Sequence, residues 1–139
     1  MFEVIRTKKV EDLVKILEML RTYFKPYEMI SSNEYIYYAE NYSKLYPDED
    51  YFVYKIMLNG QFIGMMSGVN LKEFISVDYL IFDRNYRKRS WEIANELVRE
   101  LKSFNKPIIA EAETEALCRL YRRIGFNRFS EHYQYVMNR

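Results

Sequence analysis

The chain has 139 residues, 49% of them hydrophobic and 29% charged, which is one domain's worth of sequence with enough apolar material for a core and argues against a disordered chain. Its formal net charge of +1 argues against bulk attraction to nucleic acid or to a membrane, so any anion site has to be a local cluster. One cysteine, Cys118, and one histidine, His132, exclude an internal disulfide framework and leave little for a Cys/His metal site, so no metal is expected.

FEVIR (2–6) alternates and is too short for a helix, so it reads as a strand. With a strand that early, no secretory leader is expected, and no apolar run is long enough to span a bilayer, which points to the cytoplasm. Val10, Leu13, Val14, Leu17, Leu20 and Phe24 recur at helical spacing until Pro26 closes the helix. Ser31 and Glu34 resemble a capping box for a second helix that ends at Pro47. YFVYKIML (51–58), Asn59-Gly60 and QFIGMMSGVN (61–70) form a hairpin signal, because Asn-Gly supplies the positive φ angles of a two-residue turn. KEFISVDYLIFD (72–83) is a further strand, with Asp78 the one acid inside its apolar run.

Trp91, Ala94, Leu97, Val98, Leu101 and Phe104 mark the apolar stripe of the next helix, with Ser90 as its expected N-cap. PIIAEA (107–112) reads as a short buried strand. A last helix runs from about Thr114 to Ile124 and stops at Gly125. Closing strands follow in FNRFSEHYQYVM (126–137). The order β-α-α-β-β-β-α-β-α-β describes a single mixed α/β domain over 1–139.

Two stretches carry a resemblance. DYLIFDRNYRKRSWEIANEL (78–97) matches a pattern of apolar strand, acid, turn, Arg or Gln, glycine-rich loop and helix. TEALCRLYRRIGF (114–126) resembles N-x-x-A-x-x-LY-x-x-x-GF, with Leu120-Tyr121 and Gly125-Phe126 at the expected spacing. With the hairpin 53–68, these resemble the GNAT superfamily of acyl-CoA-dependent N-acyltransferases over almost the whole chain. The resemblance implies a central mixed, mostly antiparallel sheet flanked by helices. It also implies direct transfer of an acetyl group from acetyl-CoA to a primary amine of a small molecule or protein. On that basis Leu80, Ile81 and Phe82 flank the amide-like arm of the cosubstrate. Arg87, Lys88, Arg89, Ser90, Trp91 and Glu92 surround its pyrophosphate at a helix N-terminus. Thr114 holds the family's Asn position and Leu117 its Ala position. Asp78 stands where the family places a base, and Tyr121 where it places the acid for the leaving thiolate.

The pyrophosphate turn departs from that pattern, because Lys88, Ser90 and Glu92 replace its small residues. Lys88 adds a cation and Ser90 a hydroxyl. Glu92 would oppose a phosphate, at roughly 4 kcal/mol for like charges 4 Å apart at an effective dielectric of 20, unless it turned to solvent or paired with Arg84 or Arg89. Two other readings stay open: a GNAT fold kept as a binding or structural module without catalysis, and a nucleic-acid accessory protein using the basic run 84–89. Tyr35, Tyr37, Tyr38, Tyr42 and Tyr46 crowd the second helix. They suit the lining of the acceptor cleft, a partly exposed amphipathic face, or a homodimer contact. The acceptor amine itself is not readable.

Overall fold

The computed structural model describes residues 2–23, 33, 37, 40–41, 50–112, 114–128 and 134–138. Seven strands form one sheet in the order β1-β2-β3-β4-β5-β7-β6. They are β1 (Phe2–Arg6), β2 (Tyr51–Leu58), β3 (Gln61–Asn70), β4 (Ile75–Phe82), β5 (Ile108–Glu111), β6 (Asn127–Arg128) and β7 (Gln134–Met137). Neighbours are antiparallel except β4 and β5, which are parallel. The helices are α1 (Val10–Tyr23), α2 (Ser90–Lys102) and α3 (Glu115–Arg123), with a 3-10 turn over Arg84–Arg89 leading into α2. Among the described residues no helix is long and apolar enough to cross a membrane.

Local chemistry explains most of these boundaries. Asn59 (φ 50°) and Gly60 (φ 81°) supply the two positive φ angles that fold β2 onto β3. Thr114 caps α3 by accepting a hydrogen bond from the Leu117 N–H at 3.1 Å, and Gly125 (φ 106°) ends it. The expected second helix over 31–47 lies mostly outside the described residues. Within it, the Tyr37 carbonyl accepts from the Asn41 N–H at 3.0 Å, and the Tyr37 side chain is exposed.

The sheet is covered on both faces. α1 lays Leu13, Ile16 and Leu20 against Val53, Met65 and Ile81, so Ile16 belongs to the buried stripe while the expected Val10 is exposed. α2 and α3 cover the other face, where Ile93, Leu97, Leu101, Leu120 and Tyr121 join Phe52, Ile56, Ile75 and Ile108 in the larger core. Trp91, expected in the α2 stripe, is 41% exposed, and Ile93 is buried in its place. Trp91 lies on the flank of the first turn, where the Arg123 guanidinium covers its ring at 5.4 Å.

Candidate active site

The parallel ladder between β4 and β5 ends at Val77↔Ala110. β4 continues to Phe82 paired with β3, through Met66↔Leu80, Met65↔Ile81 and Gly64↔Phe82. The two parallel strands therefore part like a fork, and the edge of Leu80–Phe82 that faced β5 opens. The register against β3 slips at the same height: Ser67 pairs with Tyr79, but Gly68 pairs with Val77. Asp78 is the extra residue of a β-bulge, a device that re-aims a side chain where regular pairing stops.

A cleft of about 370 Å³ lies along this opened edge. β4 contributes Leu80, Ile81 and Phe82, the 3-10 turn Arg87, and α2 Ser90. Thr114, Ala116, Leu117 and Leu120 form the wall from α3. The walls are largely apolar, with polar groups at the α2 end. Two wider hollows, of about 780 and 700 Å³, have mixed charges and lie away from the fork. One is held between α1 and the β2–β3 turn, the other along the outer flank of α2. The smaller cleft is the one on which the fork and a helix N-terminus converge.

The turn that opens α2 differs from expectation in its cap. Asp83 starts the 3-10 turn, its carboxylate accepting from the Asn85 N–H at 2.9 Å. The chain is already helical when it reaches Ser90 (φ −56°, ψ −35°), so Ser90 is the first residue of α2 and not its cap. Arg89 occupies the cap position and makes no side-chain capping bond. An N-cap residue needs an extended backbone, which the preceding 3-10 turn denies Ser90. Ser90 is thereby released from capping and lies on the cleft wall. Among the described residues positive φ occurs only at Asn59, Gly60, Asn105 and Gly125. Lys88, Ser90 and Glu92 therefore sit at negative φ, where a side chain causes no backbone strain.

The Glu92 carboxylate is held by Arg89 at 3.0 Å, with both side chains about half exposed. The Arg89 guanidinium also stacks on the Phe2 ring at 4.5 Å. Glu92 is two residues from Ser90, roughly 200° around the helix, so the pair lies on the α2 flank facing β1 and not on the cleft wall. Of the residues expected around the cosubstrate, the cleft brings together Leu80, Ile81, Phe82, Arg87, Ser90 and Thr114. Lys88 is exposed on the turn, and Arg89, Trp91 and Glu92 line the outer hollow. Ala116 was not singled out from sequence, although its place beside Thr114, Leu117 and Leu120 on one helical face was a usable signal.

Asp78 is an exposed residue at the mouth of the fork. Enough protein surrounds its carboxyl for partial burial to raise its pKa above the usual carboxylate value. A hydrogen bond from the Ser76 hydroxyl, at 3.4 Å, opposes the shift and the charge of Glu111 adds to it. Tyr121 is buried, its ring 5.1 Å from that of Phe126 and 5.8 Å from that of Tyr135. It follows Leu120 on α3 and is not among the residues that line the cleft. Among the described residues no group of three or more His, Cys, Asp or Glu side chains could hold a metal.

None of the curated proteins is significantly similar to the chain in sequence. Solved structures match its fold closely. The aminoglycoside acetyltransferase AAC(6')-Ib in complex with coenzyme A and kanamycin superposes with a TM-score of 0.76 at 16% identity, over 100% of this chain and 95% of that one. The Campylobacter jejuni N-acetyltransferase PseH in complex with acetyl coenzyme A gives 0.72 at 15%, over 100% and 99%. A chimera of the Vibrio cholerae spermidine N-acetyltransferase SpeG gives 0.73 at 15%, over 97% and 91%. At these identities the likeness establishes the fold. The family model for the acetyltransferase (GNAT) family matches residues 13–126, most of the chain and all the elements that build the cleft, and the protein belongs to that family.

Proposed function

We propose that the protein is an acetyl-CoA-dependent N-acetyltransferase acting on a primary amine. The observation that carries this reading is the fork between β4 and β5 opening into a largely apolar cleft that ends at the N-terminus of α2. The residues present fit the cosubstrate. Leu80, Phe82, Leu117 and Leu120 suit a slender apolar arm. Arg87, Ser90 and the first turn of α2, which has no side-chain cap, suit phosphate oxygens. Arg84 and Lys88 are exposed on the same turn and add positive charge nearby, while the Arg89–Glu92 pair removes the like-charge objection to Glu92. Coenzyme A or acetyl coenzyme A accompanies two of the three structures named above, and the acceptors named for those proteins, an aminoglycoside and spermidine, are amines.

Acetyl-CoA supplies an activated acetyl thioester. The amine nitrogen forms the new C–N bond while its proton passes to Asp78, directly or through water. As the C–S bond breaks, its electron pair stays on sulfur, and Tyr121 supplies the proton. Partial burial favours Asp78 for the first role, since a base with a raised pKa is a better proton acceptor. Tyr121 is favoured for the second by its position directly after Leu120 of the cleft wall.

Calorimetry and thermal unfolding test the reading. Acetyl-CoA at about 100 times its dissociation constant should stabilise the fold by roughly 2.7 kcal/mol. No effect from millimolar acetyl-CoA or CoA would overturn it. If Tyr121 is the acid, Tyr121→Phe should lower kcat about 100-fold or more with little change in the KM for acetyl-CoA. An unchanged kcat would remove Tyr121 from the chemistry and leave it as core.

A further inference from the structure

The turn that opens α2 has two sides. Residues three apart in a 3-10 helix lie over one another, and the chain uses that spacing twice. Arg87 and Ser90 share the cleft wall. Asp83 and Tyr86 share the other side, where with Asn85 they face α1 across the hollow of about 780 Å³. One side meets the cosubstrate cleft, and the other is anchored to β3.

The anchor has two points. The Asp83 N–H donates to the Ile63 carbonyl at 2.6 Å, carrying the β3–β4 pairing one residue past Phe82. Three residues on, the Tyr86 hydroxyl donates to Gln61 Oε1 at 2.6 Å, across a sequence separation of 25. Gln61 is the first residue of β3 and follows Asn59-Gly60 directly, so the hairpin sets its position. The Tyr86 ring is partly buried against the larger core, which holds the hydroxyl within reach. A tyrosine hydroxyl at the surface can bond water as well as protein, so a bond of this kind adds little to overall stability. What it adds is direction. It fixes the chain one residue before Arg87, and the first turn of α2 that follows has no side-chain cap of its own.

We infer that Tyr86 and Gln61 are positioning residues for cosubstrate binding: their hydrogen bond ties the turn to the β2–β3 hairpin and so aims Arg87, Ser90 and the uncapped N–H groups of α2 at the phosphates. The inference rests on the proposed binding of acetyl-CoA in the cleft. Neither residue lines that cleft, so losing the bond acts on affinity through the turn and not through a lost contact.

The test compares the full chain with four variants. Tyr86→Phe keeps the ring, Gln61→Leu removes the acceptor, the double variant removes both partners, and Gln61→Glu restores an acceptor oxygen. In the free proteins, hydrogen exchange over residues 84–92 should be faster in Tyr86→Phe and Gln61→Leu and near the wild-type rate in Gln61→Glu, with β4 unchanged. Calorimetry should show acetyl-CoA and CoA bound about 3- to 10-fold more weakly by each single variant. The double variant should be no weaker than either, because one bond is lost only once. Unchanged exchange overturns the inference, as do losses that multiply in the double variant. An unfolding temperature that falls along with affinity assigns the bond to the fold and overturns it too. A wild type that binds acetyl-CoA no better than the variants do overturns the inference alone. A wild type that takes up no acetyl-CoA at all overturns the proposed function, and this inference with it.

Discussion

Tyr135 lies wholly inside the core, with its ring beside that of Tyr121, and its hydroxyl has no hydrogen-bond partner among the described residues. The buried Cys118 thiol beside it offers only a weak sulfur contact, which together with burial raises the Tyr135 pKa. An orphaned buried hydroxyl costs about 1–3 kcal/mol in desolvation. Tyr135→Phe keeps the ring and removes that cost, so chemical denaturation should show it neutral to about 1 kcal/mol more stable. A clear loss of stability would mean that the hydroxyl has a partner. The residue-level chemistry of the site was legible where a motif fixed it. Gly125 as terminator of α3 and the placing of Arg87 and Thr114 at the cleft follow from near neighbours in sequence, whereas the capping role of Thr114 emerges only in the fold. Glu92 could be listed with its possible partners, Arg84 or Arg89, but the choice between them needed the direction in which α2 leaves the turn.

Strand-level detail was less accessible. The apolar run 72–83 announced a strand, yet nothing in it marks Asp78 as an extra residue, because a bulge is a property of two strands in register. Its counterpart is Gly68 on β3. A Cβ there would meet the Ser76 carbonyl oxygen far inside van der Waals distance and the Phe52 ring at 2.8 Å. β3 therefore lets β4 approach closely just where the register slips. Gly68→Ala should cost about 1–3 kcal/mol through forced displacement and should also lower turnover, because the displaced strand carries Asp78. Denaturation and kinetics on the same preparation check both; stability falling with turnover intact would separate the bulge from catalysis. The same principle explains the misread cap. Ser90 obeys the local capping preference, but the 3-10 turn begun by Asp83 had already committed the chain to a helical path.

At the scale of the molecule, α1 is tied to the β1–β2 end of the sheet by a small buried polar knot. Asp12 accepts a hydrogen bond from the Thr7 hydroxyl at 2.6 Å and pairs with Lys55 at 3.0 Å. Burial alone would raise the Asp12 carboxyl, but the Thr7 bond and the Lys55 charge outweigh it and hold the pKa below the ordinary value. An acid with a depressed folded-state pKa contributes stability above its unfolded value of about 3.9, and that contribution is lost as pH falls through the folded one. Asp12→Asn should therefore cost about 3 kcal/mol at neutral pH. Its stability should also vary less than that of the wild type from about pH 5 downward, as urea titrations at stepped pH would read. Asp78 contributes with the opposite sign, because its carboxyl is raised: its share is complete below the unfolded value and disappears as pH rises through the folded one. The fold as a whole was readable because apolar periodicity and turn residues are repeated along the chain. The fork beside Leu80–Phe82 was implied only by the family resemblance and not by periodicity, since it depends on where two distant strands stop pairing.

The helical run from Arg84 to Lys102, with its negative φ angles through the turn that opens α2, has a consequence for conformational entropy. A glycine-rich turn has many unfolded conformations to lose, and some of that loss recurs whenever a loose loop is ordered around a ligand. Here Lys88 and Ser90 narrow the unfolded ensemble, and helical hydrogen bonds set the turn in advance. Restoring glycine at both positions should lower stability by roughly 1–2 kcal/mol. It should also make acetyl-CoA binding entropically less favourable by calorimetry, even where closer backbone approach improves the enthalpy. The turn without glycines is thus the more preorganised version of the turn that has them.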